Sequence, residues 1–303
     1  MNLYAPEYYK DFACIKGECR HSCCLCWEID VDSKSIEKYS NSSLPYTKEI
    51  RESIDYSNET PHFRLDKDGR CPHLDERGLC KIITNLSEDY LCDICREHPR
   101  FYNRLCDRWE VGLGISCEAA ARIILSSDSY DKIIQVGKIN GEISESDFDV
   151  LNLRNKIFTL LSDRSETYLD RLKAISELVG VSFSYKDRGE WEELFCSLEY
   201  LDKSHRDMFL DCVSVTEENE EISCISERFL AYLIYRHLTP SESFGQARES
   251  LGLCLFLERV FNSLRIKFNA KDFESAVEFA RIISEEIEYS TENIDEIKLA
   301  FFF

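Results

Sequence analysis

The sequence predicts a mostly α-helical fold in which a cysteine-rich, loop-rich, metal-binding N-terminal part packs on a C-terminal helical body. Three observations predict it. Eleven of the fifteen cysteines lie between Cys14 and Cys117, turn-forming residues interrupt the short apolar pieces of that stretch, and apolar residues recur at helical spacing from about residue 146 onward. We therefore predict a metal-binding domain over residues 1–125 and a helical domain over residues 126–303.

The N-terminal part has little with which to build a core of its own. Turns are predicted at Lys16-Gly17, Asp68-Gly69 and Arg77-Gly78, and a strand is predicted at Trp27–Val31. A metal that fixes several loops at once would supply the missing folding free energy, as it does in small metal-binding domains.

The C-terminal part shows repeated apolar stripes at helical spacing. A polar connection is predicted at residues 126–147, before the first stripe. Gly180 is the expected C-terminal cap of one helix, and Asp272 is the expected N-terminal cap of another. The stripes, which predict helices that pack on one another, run over residues 150–161, 169–178, 191–201, 229–237 and 273–287.

Composition narrows the possible functions. The chain is 44% apolar, enough for a packed core, and its net charge of −20 disfavours a nucleic-acid partner. The N-terminus lacks the basic and apolar regions of a secretory signal, and no apolar run reaches the ~20 residues of a membrane span. We therefore expect a cytoplasmic protein without a membrane partner. Stable disulfides are uncommon in that compartment, so the cysteines indicate metal or redox chemistry.

Two groups of cysteines have the spacing of metal ligands. The first comprises Cys14, Cys19, Cys23, Cys24 and Cys26, and the second comprises Cys71, Cys80, Cys92, Cys95 and Cys117. Cysteines three or four positions apart on a loop can turn toward one point at small backbone cost. There are more thiols than one zinc site uses, and paired histidine ligands are lacking, which favours an iron–sulfur cluster. Zinc and iron–sulfur both suit thiolates, so spacing leaves the choice open.

One substring allows a further interpretation. Cys19-x3-Cys23-x2-Cys26 has the spacing by which radical S-adenosylmethionine enzymes hold a cluster with one open iron. The chain shows no Gly-Gly-Glu-Pro-like segment and no alternation of strands and helices for the barrel of those enzymes. The spacing alone therefore does not predict that class.

At these residues the sequence resembles the flagellin lysine-N-methylase family, whose N-terminal part is similar to the broader CxxCxxCC cysteine-cluster domain. The resembling segments are Tyr8-Tyr-Lys-Asp-Phe-Ala-Cys14, Cys23-Cys24-Leu-Cys26-Trp27-Glu-Ile-Asp30, Cys71-Pro-His-Leu, Gly78-Leu-Cys80-Lys-Ile, Leu91-Cys92-Asp-Ile-Cys95-Arg96, Pro99-Arg100, Ser116-Cys117-Glu-Ala-Ala, Tyr232-Leu-Ile-Tyr-Arg236-His237 and Glu288-Tyr-Ser-Thr-Glu-Asn293.

The resemblance implies methyl transfer from S-adenosylmethionine to the ε-amines of flagellin lysines by an enzyme that carries a four-iron cluster. The ligand pool that it implies is Cys14, Cys19, Cys23, Cys24, Cys71, Cys80, Cys92, Cys95 and Cys117. Cys26 and Cys106 depart from the family pattern and are left out of that pool. The catalytic residue is unknown, and Tyr232, Arg236 and Arg100 are candidates only because they lie in resembling segments.

Two other functions remain open at this stage. The chain could be a non-catalytic zinc- or iron-chelating module that binds a partner, or it could be a redox protein. Flagellin is the partner expected from the resemblance alone.

Overall fold

Thirteen α-helices and six short β-strands make up most of the regular structure of the described residues, which are 1–25, 27–144, 146–181, 188–212 and 223–302 of this computed structural model. The prediction of a mostly α fold is confirmed. Residue contacts divide the chain into two compact units that are not continuous in sequence. Unit 1 comprises Met1–Phe12, Phe101–Ser116 and Ala120–Phe303, and unit 2 comprises Ala13–Arg100 and Cys117–Ala119.

Unit 2 contains more regular structure than the sequence indicated. Its elements are α1 (Ser33–Asn41), α2 (Pro45–Ser53), β2 (Ile54–Asp55), β3 (His62–Phe63), α3 (Lys81–Asn85) and α4 (Asp93–Glu97). Asp32 caps α1 by accepting the Ser35 N–H at 2.9 Å, and Pro45 occupies the first turn of α2, where it sacrifices no hydrogen bond. Each helix packs one face into a small core, which contains the fully buried side chains of Tyr39 and Ile50.

The prediction of a strand at Trp27–Val31 is wrong, because these residues form no regular β-strand. The Ile29 carbonyl accepts the Phe63 N–H at 3.0 Å, and Asp30 forms a single antiparallel bridge with His62. The partner strand β3 has only two residues, so the pairing cannot extend into a ladder. The segment is extended, but it does not form a strand.

A four-stranded sheet in unit 1 joins distant parts of the chain. Its strands lie in the order β4-β5-β1-β6 and are β1 (Asn2–Pro6), β4 (Arg100–Arg104), β5 (Arg108–Leu113) and β6 (Ile133–Lys138). Strand β1 pairs in parallel with β5 and antiparallel with β6. The predicted polar connection at residues 126–147 therefore contains a strand. Residues 101–116 and 120–125 belong to unit 1.

Among the described residues, five of the remaining helices overlap the predicted stripes, and four lie where no stripe was predicted. They are α5 (Glu118–Ser126), α6 (Val150–Leu161), α7 (Tyr168–Val179), α8 (Arg188–Ser197), α9 (Lys203–Cys212), α10 (Ser223–Leu233), α11 (Phe244–Lys267), α12 (Phe273–Ile283) and α13 (Thr291–Phe302). Asp272 accepts the Ser275 N–H at 2.8 Å, and Gly180 has a left-handed φ of 68°, so both predicted caps are confirmed. None of the described helices combines the length and apolar character that a membrane crossing requires.

Two of these helices continue into π-helical turns. The segment Ile234–Leu238 follows α10, and Ser284–Glu288 follows α12. Wider turns of this kind leave main-chain carbonyls without their usual helical partners. The Asn103 amide donates to the carbonyls of Tyr235 (3.1 Å) and Arg236 (3.4 Å), and the Asn293 amide donates to the Glu286 carbonyl at 2.7 Å.

Candidate functional site

All nine cysteines of the ligand pool lie in unit 2. Eight belong to Ala13–Arg100, and the ninth, Cys117, belongs to the short segment Cys117–Ala119 that joins this unit from a remote point of the sequence. Cys106, which was left out of the pool, lies in unit 1. Cys26 lies outside the described residues, so the structure does not describe the Cys19-x3-Cys23-x2-Cys26 arrangement.

Five of these thiols pack against the small core of unit 2, and we name them the inner thiols: Cys24, Cys71, Cys80, Cys92 and Cys95. The Cys24 carbonyl accepts the Cys71 N–H at 2.9 Å, which ties the first cysteine loop to the second. Cys80 forms a single antiparallel β-bridge with Leu74, and the Leu74 N–H donates to the Cys71 carbonyl at 3.1 Å. Cys92 is the N-cap of α4, and Cys95 lies in the first turn of that helix.

Burial and the charges of neighbouring thiolates shift the pKa values of the inner thiols. Burial, reinforced by the charges of Cys24, Cys80 and Cys92, raises the pKa of Cys71 to about 12. Burial also raises the pKa of Cys80. The Cys95 thiol donates to the Cys92 sulfur, which lowers the pKa of Cys92 and raises that of Cys95. Several thiolates that lie close together and are shielded from water repel one another, and a bound cation would relieve that repulsion.

The other four thiols, named the outer thiols, are Cys14, Cys19, Cys23 and Cys117. Cys14 and Cys23 are exposed, while Cys19 and Cys117 are partly buried. The Cys19 sulfur lies 3.8 Å from Oε2 of Glu118, the neighbour of Cys117. Burial raises the pKa of Cys19, and the Glu118 charge adds to that effect.

A buried carboxylate holds Cys117 beside the first cysteine loop. Glu118 accepts the Arg20 main-chain N–H at 2.9 Å and its guanidinium Nε–H at 3.0 Å. The Glu118 side chain is almost fully buried. These hydrogen bonds join residues 98 positions apart, and they explain why Cys117–Ala119 packs with unit 2.

A close approach of two turns fixes the loop between Cys14 and Cys19. A Cβ atom at Gly17 would lie only 2.4 Å from the Arg77 carbonyl oxygen, so only glycine fits there. Gly78, on the opposing turn, has a φ of +73° and approaches the Gly17 Cα. The first cysteine loop is thereby seated on the turn that precedes Cys80.

The donor set of unit 2 fits a thiolate-held metal by its chemistry. Sulfur predominates, and the core-packed thiols are shielded from water, as zinc and iron–sulfur sites require. Within the described part of the chain, no three His, Cys, Asp or Glu side chains already converge at metal-holding distances. The ligand assignment therefore stays a prediction, and binding would require some of these side chains to rotate.

His73, two positions from Cys71, has a structural role. Its Nδ1 lies 3.0 Å from the Tyr46 hydroxyl, and its Nε2 lies 2.9 Å from the Ser53 hydroxyl. Burial lowers the pKa of His73 to about 4, so it is neutral. Because both ring nitrogens are hydrogen-bonded, His73 ties Tyr46 and Ser53 together in the core beside the inner thiols.

A second constellation, in unit 1, surrounds the buried carboxylate of Glu288, and we name it the Glu288 cluster: Tyr232, Arg236, His237 and Glu288. His237 Nε2 lies 2.6 Å from Glu288 Oε1, and the Tyr232 hydroxyl lies 3.0 Å from Oε2. Arg236 donates to the Tyr232 hydroxyl at 3.0 Å. All four residues belong to the two π-helical turns or to the helix that leads into one of them.

Charge in this cluster is compensated internally. Burial alone would raise the pKa of Glu288, but Arg236 and His237 bring it down to about 2. Burial lowers the pKa of His237, despite its hydrogen bond to Glu288. The Arg236 guanidinium also lies over the rings of Phe101 and Tyr289, at 5.1 and 4.9 Å from their centres.

The structure brings together two of the three catalytic candidates. Tyr232 and Arg236 are hydrogen-bonded, whereas Arg100 lies in unit 2, where its guanidinium donates to the Arg96 carbonyl. Tyr232 is buried, and its hydroxyl also accepts the Ile115 N–H at 3.2 Å. Such a residue is suited to positioning its neighbours. His237 and Glu288 were missed as site residues, although both lie in the segments that carried the family resemblance.

Comparison with known proteins addresses the resemblance directly. Lysine-N-methylases of Salmonella choleraesuis (strain SC-B67) and Salmonella typhimurium (strain LT2) are each 28% identical to the chain over 136 residues. The flagellar biosynthetic protein FliU of Salmonella muenchen is 27% identical over 136 residues. Over this stretch the chain is similar to proteins named lysine-N-methylase. The predicted resemblance is confirmed.

The relationship covers part of each protein. The matched stretch is 43% of this chain, 34% of each lysine-N-methylase and 80% of FliU. The chain thus matches about a third of the length of the lysine-N-methylases. No family model matches the chain, and no solved structure gives a significant match.

Proposed function

We propose that the chain acts in the methylation of lysine ε-amines of flagellin, with S-adenosylmethionine as the methyl donor and a thiolate-held iron–sulfur cluster in unit 2. The observation that carries this proposal is its relationship to proteins named lysine-N-methylase, together with a relative named as a flagellar biosynthetic protein. The nine thiols of unit 2 support the cluster, because their number and surroundings suit iron and sulfide.

The transfer itself sets a requirement on the protein. In polar transfer the lysine nitrogen forms a bond to the methyl carbon while the carbon–sulfur bond of the sulfonium breaks, and sulfur keeps the electron pair. The amine must first lose a proton, because its ordinary pKa is about 10.4. A desolvated site or an acceptor carboxylate would favour that loss.

Some of the nine thiols of unit 2 would hold the cluster. When bound, it would hold together the loops that carry the thiols and supply a redox centre. The Arg20–Glu118 hydrogen bonds and the Gly17 turn also bring those loops together. We propose a cytoplasmic location, which would keep the thiols reduced and give access to flagellin before export.

Mass spectrometry of flagellin tests the activity. Flagellin from cells that contain this chain should carry lysine additions of about 14 mass units per methyl group. Flagellin from cells that lack it should carry none, and re-expression should restore the additions. Unmodified lysines in the presence of the chain would refute the proposal.

Metal and sulfide analysis tests the cofactor separately. Anaerobic purification should give a coloured protein that contains iron and acid-labile sulfide. A colourless protein with zinc and without sulfide would refute the iron–sulfur assignment and would favour a zinc-chelating interaction module.

A further inference from the structure

We infer that unit 2 carries two separate thiolate metal sites, an inner one at Cys24, Cys71, Cys80, Cys92 and Cys95 and an outer one at Cys14, Cys19, Cys23 and Cys117. The inference rests on the thiolate-held metal of the proposed function, but it does not depend on methyl transfer. It assigns the inner site a structural role and makes the outer site the one that solvent and small molecules reach.

The inner thiols are built into the core. All five pack in the cluster that contains Tyr39, Ile50 and Phe63. They come from three pieces of chain that are fastened by main-chain contacts, namely the Cys24–Cys71 hydrogen bond, the Leu74–Cys80 bridge and the first turn of α4. A metal held there would be enclosed by protein, as in structural sites whose ligands are all supplied by the chain.

The outer thiols are assembled by different contacts. Glu118 fastens Cys117 to the first loop through Arg20, and its Oε2 lies 3.8 Å from the Cys19 sulfur. Cys23 lies within electrostatic range of Cys14 and Cys117. None of the four packs in the inner cluster among the described residues. Their partial exposure leaves a metal there open to approach.

The two sites adjoin at consecutive residues of the chain. Cys23 belongs to the outer group and Cys24 to the inner group, and the Cys23 thiol donates to the Cys24 sulfur. Cys24 lies near Cys71, Cys80 and Cys95. The number of thiols agrees with this division, because a zinc ion or a four-iron cluster takes roughly four thiolates, and one site would leave about five idle.

Cysteine protection in the full chain tests the inference. The protein is purified anaerobically, loaded with ferrous iron and sulfide, and alkylated with iodoacetamide, and peptide mass spectrometry then reports each cysteine. Three double variants are compared with the unaltered chain: C14S with C117S for the outer site, C71S with C95S for the inner site, and C106S with C196S as a control outside unit 2.

We expect the outer variant to hold about half of the iron of the unaltered chain. Its inner thiols should stay protected, while Cys19 and Cys23 should become reactive. The control variant should match the unaltered chain. An iron chelator should strip the outer site at least tenfold faster than the inner one.

Loss of protection at the inner thiols in the outer variant would overturn the inference, since it would show one shared site. So would an unaltered chain whose outer thiols react as freely with metal as without it. If the inner variant fails to fold, the outer variant and the unaltered chain still distinguish two sites from one shared site. Absence of flagellin methylation with both groups protected would count against the proposed function alone.

Discussion

At the scale of single residues, Glu288 is a buried carboxylate with several close polar partners. A carboxylate removed from water is stable only when it is paired and hydrogen-bonded. Here the Tyr232 hydroxyl, the His237 ring and the Arg236 guanidinium surround it, with Arg236 Nε 3.4 Å from Oε1. Removal of the carboxylate charge would leave Arg236 buried against neutral partners.

We predict that Glu288→Gln lowers the free energy of unfolding by about 3–5 kcal/mol, the usual cost of breaking a buried ion pair. Urea denaturation of both proteins at neutral pH measures the difference. Glu292→Gln, at an exposed position of the adjacent helix, is the control and should change stability by no more than about 0.5 kcal/mol. Equal effects of the two substitutions would contradict the prediction.

The same residue gives a prediction for pH. The pKa of Glu288 is about 2 in the folded chain against an ordinary value of 4.5, so its stabilising contribution is complete above pH 4.5. That contribution, about 3 kcal/mol, should be lost as pH falls from 4.5 toward 2. Urea denaturation between these values should show the gap between the unaltered chain and Glu288→Gln narrowing. A gap that stays constant with pH would refute the assigned pKa.

Some single-residue roles were visible in the sequence and others were not. Asp272 and Gly180 were predicted as caps because capping depends on residue type and local position. Glu288 and His237 gave no such signal. Their roles depend on contact between two helices separated by about fifty positions, and a lone sequence does not show which helices touch.

The π-helical turns are the distinctive elements of unit 1. Each carries part of the Glu288 cluster, and each has main-chain carbonyls that an asparagine amide satisfies. The wide turn at Ile234–Leu238 carries Arg236 and His237, and both side chains contact Glu288. The asparagine that supports it, Asn103, comes from strand β4.

We predict that Asn103→Ala lowers the free energy of unfolding by about 1–3 kcal/mol, because it leaves buried carbonyls of the π-helical turn without donors. Hydrogen exchange should also quicken at residues 234–238. Asn155→Ala, at an exposed position of α6, is the matched control and should have little effect. Unchanged exchange at the π-helical turn would show that Asn103 does not support it.

Turn geometry in unit 2 allows a similar test. Gly17→Ala places a Cβ 2.4 Å from the Arg77 carbonyl, and we expect a loss of about 1–3 kcal/mol with poorer metal retention. Gly245→Ala, in the first turn of α11, meets only the Ser243 hydroxyl at 3.9 Å. It should be neutral or stabilise by up to about 1 kcal/mol. Thermal unfolding and bound iron measure both, and a Gly17→Ala protein that retains its metal would contradict the prediction.

Elements were predicted where they have a regular period. The stripes over residues 150–161 and 273–287 identified α6 and α12, since long amphipathic helices repeat the same apolar spacing. The strands of the sheet have only five or six residues, and β1 pairs with strands far along the chain, so their apolar pattern is short and mixed. Strand β6 was therefore taken for a polar connection.

At the scale of the whole molecule, the two units interleave along the sequence. Cys117–Ala119 belongs to unit 2, although the residues on either side belong to unit 1. Cysteine spacing predicted two groups of candidate metal ligands, because ligands recur at short intervals, and the family resemblance implied which thiols form the pool. Spacing could not show which thiols are neighbours, since the Arg20–Glu118 and Cys24–Cys71 hydrogen bonds decide that arrangement.

The net charge of −20 gives the last prediction, which rests on the proposed function. An acidic chain attracts a lysine-bearing substrate over a distance set by the Debye length, which falls from about 30 Å at 0.01 M salt to about 3 Å at 1 M. The apparent KM for flagellin should therefore rise with sodium chloride over this range, while kcat stays nearly constant. Initial rates of methyl incorporation measure both. A flagellin variant with acidic residues beside the acceptor lysines should show a weaker salt dependence, because its local attraction is already reduced. If kcat falls instead while KM holds, salt acts on the enzyme itself and long-range attraction does not guide the encounter.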